Sequence, residues 1–343
     1  MKIYCLLILF LACLLSNCKN NSSPDVSSID VDTKIIRTEK ELSRTKNSNE
    51  IKELIKNNQP FYNIYVNEAL GYKGTNVDSQ VINLQKFLKD SLTVDLLQKT
   101  EKRYSDFYKI KPEVDNLFRH LKYYFPEKFV QIPNIYTFIS QFEYQIFVFE
   151  DAGSKDGIGI GLDMFLYPDV RYKKIDPDNT NFSDYITCSW NEEHVVKKVA
   201  DIYTSEIIGE APGHRMIDQM IHNGKALYLT KLLMPSAHDS IIIEYPLRHL
   251  NWCEDNELQV WSFFLDNKLF FESNPAKISK YLNPSPDSPD MPAAAPGRTA
   301  NYLGWQIVKA YMNRYPETKL SELFSMNDAQ KFMEKSKYKP ERK

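Results

Sequence analysis

Apolar positions step by three and four residues through several stretches of the chain, and this spacing marks helices that bury one face. From Val77 to Leu97 they fall at 77, 81, 84, 88, 92 and 96, which predicts one amphipathic helix capped by Asn76 or Asp78. A second helix is predicted over 112–124, with Pro112 at its start and Pro126 beyond its end. Further helical stretches are 192–208, 216–234, 255–265 and 300–313. The stripe Ile217, Met220, Ile221, Gly224, Leu227 and Tyr228 is the clearest of them. Between these helices the period changes. Residues 135–139, 144–149 and 157–165 are β-branched and aromatic, with Asp151 and Gly153 between the last two, and read as a small sheet containing a hairpin. Glycines at 157, 159 and 161 would leave one strand face bare, open to another backbone or to a ligand. Five prolines lie in 284–296 and forbid helix interior or central strand there, so a long surface loop should lead into the last large helix. The expected fold class is α+β, mostly α-helical with a small sheet.

The first residues have a different pattern. A nearly continuous apolar run from Ile3 to Leu15 follows Lys2. It is the length of a signal-peptide core and shorter than the roughly 20 residues that span a bilayer. Leu15-Ser16-Asn17-Cys18 resembles a bacterial lipobox, with Asn17 where a smaller residue is usual. The chain therefore divides into a signal peptide over 1–17, a lipidated tether and lead-in over 18–60, and one domain over 61–343. Cys18 is the expected lipid attachment site, and three acyl chains exceed the two signals that stable anchoring takes. Residues 19–28 have linker composition and reach roughly 15–20 Å. No acidic cluster follows Cys18, which favours an outer-membrane location facing the periplasm over display at the cell surface.

Composition narrows the functions. Lys and Arg number 43 against 45 Asp and Glu, a formal charge of −2 that argues against nucleic acid as a partner. Only 11 of 343 residues are glycine, which disfavours Gly-rich phosphate cradles. Beyond the signal and Cys18 the cysteines are Cys188 and Cys253, free to pair in an oxidising compartment or to remain two buried thiols. There is no H-E-x-x-H and no G-x-S-x-G. Asp218 and His222 share a helical face at metal-ligand spacing, although such a pair more often forms a plain hydrogen bond. Glu254 and Glu257, three residues apart, suit either acid–base work or a helix N-terminus. No cofactor is implied.

Four segments carry a family resemblance: I-G-I-G-L-D-M-F-L (158–166), D-x-M-I-x-x-G-K (218–225), W-C-E-D-N-E-x-x-V-W-S-F-F (252–264) and P-G-R-T-A-N-Y-L-G-W-Q-I-V-K-A-Y-M (296–312). In this order they resemble the gliding-motility lipoprotein family GldB of Bacteroidetes, over about residues 60–340. The resemblance implies a non-catalytic cell-envelope lipoprotein required for gliding, acting with protein partners of the motility and type IX secretion apparatus. A divergent envelope hydrolase and a periplasmic small-ligand binder are the alternatives. The resemblance also implies a degenerate zinc-peptidase-like fold. N-G-K-A-L-Y (223–228) is similar to the second helix of small zinc peptidases, with Asn223 where a Glu ligand would stand. V-V-K-K-V-A-D (195–201) stands where two His would. No metal is then expected, and a groove kept for binding would use Glu254, Glu257, Arg298, Asn223 and Gln306; by its own position, after Pro296-Gly297 at a helix entry, Arg298 either clamps a carboxylate such as Glu254 or Glu257 or stays solvated.

Overall fold

The computed structural model describes residues 23–340 apart from 75, 108 and 154. Cys18 and the signal lie outside the described residues. The fold is α+β and mostly helical, as the pattern predicts.

A four-stranded sheet is built from β1 (Ile35–Arg37), β2 (Asn134–Phe138), β3 (Ile146–Asp151) and β4 (Lys155–Gly161) in the order β1-β2-β4-β3. β3 and β4 form the expected antiparallel hairpin, while β1–β2 and β2–β4 are parallel. The glycine-bare face of β4 is covered rather than open. Phe147 pairs across the ladder with Gly159, and Phe149 with Gly157. Each ring lies over its partner glycine, where an added Cβ would stand 2.7 Å from the ring's Cε1. The glycines therefore admit aromatic rings of the neighbouring strand, not a ligand. Behind those rings Phe61 stacks on Tyr136 at 4.8 Å and Tyr65 at 5.2 Å, and this aromatic cluster seals the sheet against the helices.

Strand β1 falls inside the segment expected to be tether and lead-in, and the core begins well before residue 61. Val31, Ile36, Leu42, Ile51 and Ile55 are buried in the common core, and Val26 is buried ahead of them. The Thr33 amide donates to Asp115 Oδ1 at 2.9 Å, which ties this segment to a helix far along the chain. Helix α1 (Ser48–Asn57) is capped by Asn47, whose side chain accepts from the amides of Asn49 and Glu50.

The single helix expected over 77–97 is two, α2 (Val77–Lys89) and α3 (Ser91–Arg103). Asp90 breaks it. Its backbone is extended, at φ −67° and ψ 136°, and its carboxylate caps the Thr93 amide, so a local hydrogen bond wins over continued helix. Helix α4 spans Ile110–Tyr124.

The second half is organised by α5 (Val195–Ile208), α6 (Met216–Leu233) and α9 (Thr299–Arg314). The stretch expected as one helix from 255 begins earlier and is interrupted at Asn256, giving α7 (Leu247–Asp255) and α8 (Glu257–Asp266). Helices α6 and α9 cross where Gly224 meets Gly304. A Cβ on Gly304 would land on the Met220 carbonyl, and one on Gly224 would land on the Gly304 carbonyl group. Two glycines bring the backbones into contact and let Met220, Leu303 and Ile307 pack without a gap. Helix α10 (Ala329–Ser336) closes the far side of α9, with Phe332 stacked on Tyr311 at 4.4 Å. No described helix is long and apolar enough to cross a membrane.

Candidate functional site

A cavity of about 680 Å³ opens beside the start of α7, lined among others by Tyr185, Cys188, His194, Glu244, Arg248 and Pro286. That volume is within the range of ligand sites, roughly 300–1,000 Å³. Its floor is Glu244. This residue ends the short helix Asp239–Ile243 in the left-handed conformation, at φ 55°. Its amide bonds to the Ile241 carbonyl, and the Tyr245 amide reaches back to Ser240 O at 2.9 Å, so the helix end is closed as glycine usually closes it. A non-glycine residue held there costs on the order of 1–2 kcal/mol.

What offsets that cost is the destination of the carboxylate. Glu244 Oε1 lies 2.6 Å from Lys198 Nζ and 3.2 Å from Lys197 Nζ. Glu244 Oε2 is 3.6 Å from Arg298 Nη1, and Arg298 Nη2 donates to the Glu244 carbonyl at 2.9 Å. Lys197 is bridged a second time, to Asp201 at 2.6 Å. Burial resists ionisation of Glu244, but Lys197, Lys198 and Arg298 overcome it and hold the carboxyl well below its ordinary range. Arg298 is itself left-handed, at φ 63°, and its guanidinium lies 5.3 Å from the centre of the Tyr245 ring. Tyr245 Oη donates in turn to Gly297 O at 2.5 Å. Two conformationally costly residues thus face each other in one ion cluster, the kind of place where strain gathers at functional sites.

His194 stands beside this floor, 5% exposed. Asn191 Nδ2 donates to Cys188 O, which fixes the amide and leaves Asn191 Oδ1 facing His194 Nδ1 at 2.8 Å. Nδ1 therefore carries the proton and Nε2 presents a lone pair, which is buried without a hydrogen-bond partner. Burial lowers the imidazole pKa to about 4 although Glu244 pulls it upward, so the ring is neutral at neutral pH. Burial also raises the Cys188 thiol above its ordinary value, and Cys188 Sγ faces the Tyr185 carbonyl at 3.6 Å. Cys188 and Cys253 are both free thiols.

The residues singled out in the sequence fall in three places. Glu254, Glu257 and Gln306 line a separate cavity of about 400 Å³ with Lys309 and Tyr338. There Glu257 accepts from Tyr302 Oη at 2.8 Å and from Tyr338 Oη at 2.6 Å, which fastens the C-terminal segment to α8. Arg298 is not with them. The carboxylate it clamps is Glu244, because the turn before α9 points the guanidinium toward the end of the Asp239–Ile243 helix. Asn223 is a helix-packing residue: its amide donates to Asn301 Oδ1 at 2.9 Å beside the glycine crossing. The Asp218/His222 pair does not act as a unit, because Asp218 is held in a two-point ion pair by Arg215, at 2.9 and 2.7 Å. Lys197 and Asp201, read as standing where zinc ligands would, bridge each other. Among the described residues no group of three or more His, Cys, Asp or Glu is placed to hold a metal ion.

Glu244 and His194 were not singled out by the pattern. One local signal pointed toward them. Lys197 and Lys198 interrupt an otherwise apolar run, Val195-Val196 and Val199-Ala200, and a lysine on a buried helix face requires a carboxylate from elsewhere.

A family model described as gliding motility protein GldB matches residues 19–340. No curated protein and no solved structure matches the chain, so the zinc-peptidase kinship rests on the sequence resemblance alone.

Proposed function

Because the chain belongs to the family of the gliding motility protein GldB, we propose that it is a non-catalytic docking lipoprotein of the motility machinery. In this reading the lipid on Cys18 fixes it to the outer membrane facing the periplasm, and the cavity above Glu244 receives part of a protein partner. The observation that carries the reading is the state of the charged groups at the cavity. Lys197, Lys198 and Arg298 are engaged with Glu244 and Asp201. The one thiol in the lining is kept protonated by burial. A nucleophile needs an activating base within hydrogen-bond reach, and Cys188 instead faces a backbone carbonyl. What remains for a visitor is apolar surface, hydrogen-bonding groups and the side-chain charges of Asp184, Glu193 and Arg248, a lining that suits the binding of a polypeptide. Leu247, 56% exposed at the rim, is an apolar residue presented to a partner.

The test is a photo-crosslinking amino acid placed at Leu247 of the full lipidated chain in its native envelope. The expected result is one discrete adduct with an envelope protein, absent when the same group replaces Lys89, an exposed residue at the end of α2. Absence of any adduct from Leu247, or equal adducts from both positions, would remove the docking role from this cavity.

A further inference from the structure

A second cavity of about 260 Å³ adjoins the first, and the two share Glu193 and Ile241 in their linings. Side by side they make an elongated depression that passes over the turn Glu192–His194, a shape suited to a chain rather than a compact ligand. Most of the smaller cavity's wall is apolar, with Val196, Leu233, Met234 and Ile241 among its residues. Its acidic groups are Glu113 and Glu193, and neither makes an ion pair among the described residues. Lys197 and Lys198, on the helix that follows the turn, are already bound to Glu244 and Asp201 and are not available to these carboxylates, and Arg248 lines the larger cavity rather than this one. An apolar passage ending in uncompensated carboxylates matches one side-chain chemistry: a long methylene stem with a cationic head. At the other end of the same turn, His194 Nε2 offers a buried lone pair and calls for a donor.

We propose that the joined cavities are a groove for an extended, lysine- or arginine-bearing segment of a protein partner, which donates a backbone N–H to His194 Nε2 and sends its basic side chain to Glu113 and Glu193. This deepens the docking role proposed above and rests on it. Partial burial, together with Glu192 and Glu193, raises the Glu113 carboxyl above its ordinary range, and an arriving cation relieves that repulsion. Selectivity follows from the same chemistry. An acidic segment would be repelled at the Glu113 end, and a segment without a donor at the matching backbone position would leave His194 unpaired.

The test selects a displayed library of random twelve-residue peptides on the full lipidated chain in nanodiscs, then measures the selected peptides individually. Enriched peptides should share a Lys or Arg. Against the double variant Glu113→Gln/Glu193→Gln, their affinity should fall about tenfold or more. Changing that Lys or Arg to norleucine should cost the same factor on the parent and little more on the double variant. N-methylation along the peptide should find one position whose loss is about tenfold on the parent and smaller on His194→Phe. Both glutamines sit at the groove wall outside the core, so the double variant keeps the test valid should His194→Phe misfold. Peptides enriched without a basic residue, or basic peptides whose binding ignores the double variant, would overturn the groove. An adduct at Leu247 with no such coupling would overturn the groove chemistry while leaving the docking role. Coupling without an adduct would uphold the groove and remove the envelope partner.

Discussion

Replacing Glu244 by glutamine removes one negative charge from among three cations while nearly preserving volume. The cost can be worked from the partners. The Glu244 and Lys197 side chains are 11% and 8% exposed, so their bridge is buried, and breaking a buried pair by removing one member costs about 3–5 kcal/mol. Two features soften the loss. Lys197 keeps Asp201 at 2.6 Å, and Arg298 keeps its hydrogen bond to the Glu244 carbonyl. Lys198, 20% exposed, can turn partly to water. The expected destabilisation is therefore near the lower end, about 3 kcal/mol, read as a shift of the urea midpoint at unchanged slope. The pH dependence has a fixed sign. Burial opposes ionisation of Glu244, but the three cations hold its folded pKa well below the ordinary carboxylate range. The stability it supplies is then fully present above the unfolded pKa of about 4.3 and is lost as pH falls through the folded value. The gap between parent and Glu244→Gln should be flat from pH 8 to 5 and should narrow only in stronger acid. A companion Lys197→Met variant should couple to it, the double variant costing less than the sum by about 1–3 kcal/mol. A loss below about 0.5 kcal/mol, the range of an exposed pair, or strict additivity with Lys197→Met, would refute the buried cluster as the organiser of the cavity floor.

Three further outcomes are expected. Gly304→Ala should destabilise by about 2 kcal/mol or more in urea titration, because overpacking at the Met220 carbonyl outweighs the roughly 1 kcal/mol gained in helix propensity; an unchanged midpoint would mean that α6 and α9 do not touch there. Asp163 is fully buried and accepts from the Phe142 amide at 2.7 Å, yet burial raises its pKa to about 6, so the parent should gain stability relative to Asp163→Asn as pH falls from 7 to 4, by on the order of 2–3 kcal/mol; a parent that instead loses stability over that range would show that the hydrogen bonds to the ionised carboxylate outweigh its burial. Cys18→Ser should abolish incorporation of labelled palmitate and leave uncleaved precursor, and labelling that persists in the variant would place the lipid elsewhere.

Periodicity found what periodicity encodes. The stripes of 216–234 and 300–313 became the helices that cross at the centre of the second half, and the alternating strands became the hairpin. Strand β1 escaped because three residues cannot display a period, and its strand character exists only through the parallel register with β2. Asp90 escaped because the apolar spacing continues through it, and only its capping geometry reveals the break. The glycines of β4 were legible as missing side chains but not as seats for Phe147 and Phe149, since that pairing depends on hairpin register.

The site was still less legible, for a physical reason. A catalytic motif compresses its chemistry into one turn of helix or one loop, where spacing can be read. The Glu244 cluster gathers Lys197, Lys198 and Asp201 from α5, Glu244 from the end of a short helix and Arg298 from the turn into α9. The last two lie 54 residues apart and are joined by a side chain-to-carbonyl bond. Arg298, after Pro-Gly at a helix entry, was legible only as a choice between a clamp on a carboxylate and a solvated guanidinium. Its partner was not recognisable, because Glu254, Glu257 and Glu244 are equivalent until the left-handed end at Glu244 fixes which of them points inward. Had the ion cluster been built for metal chemistry, its acids would have been left open to a cation. Instead the chain supplies its own cations, Lys197, Lys198 and Arg298, while along the adjoining groove the carboxylates of Glu113 and Glu193 make no ion pair and the Nε2 lone pair of His194 no hydrogen bond among the described residues. The cluster thus fixes the floor in place, and in the docking role proposed above recognition would fall to these unsatisfied groups.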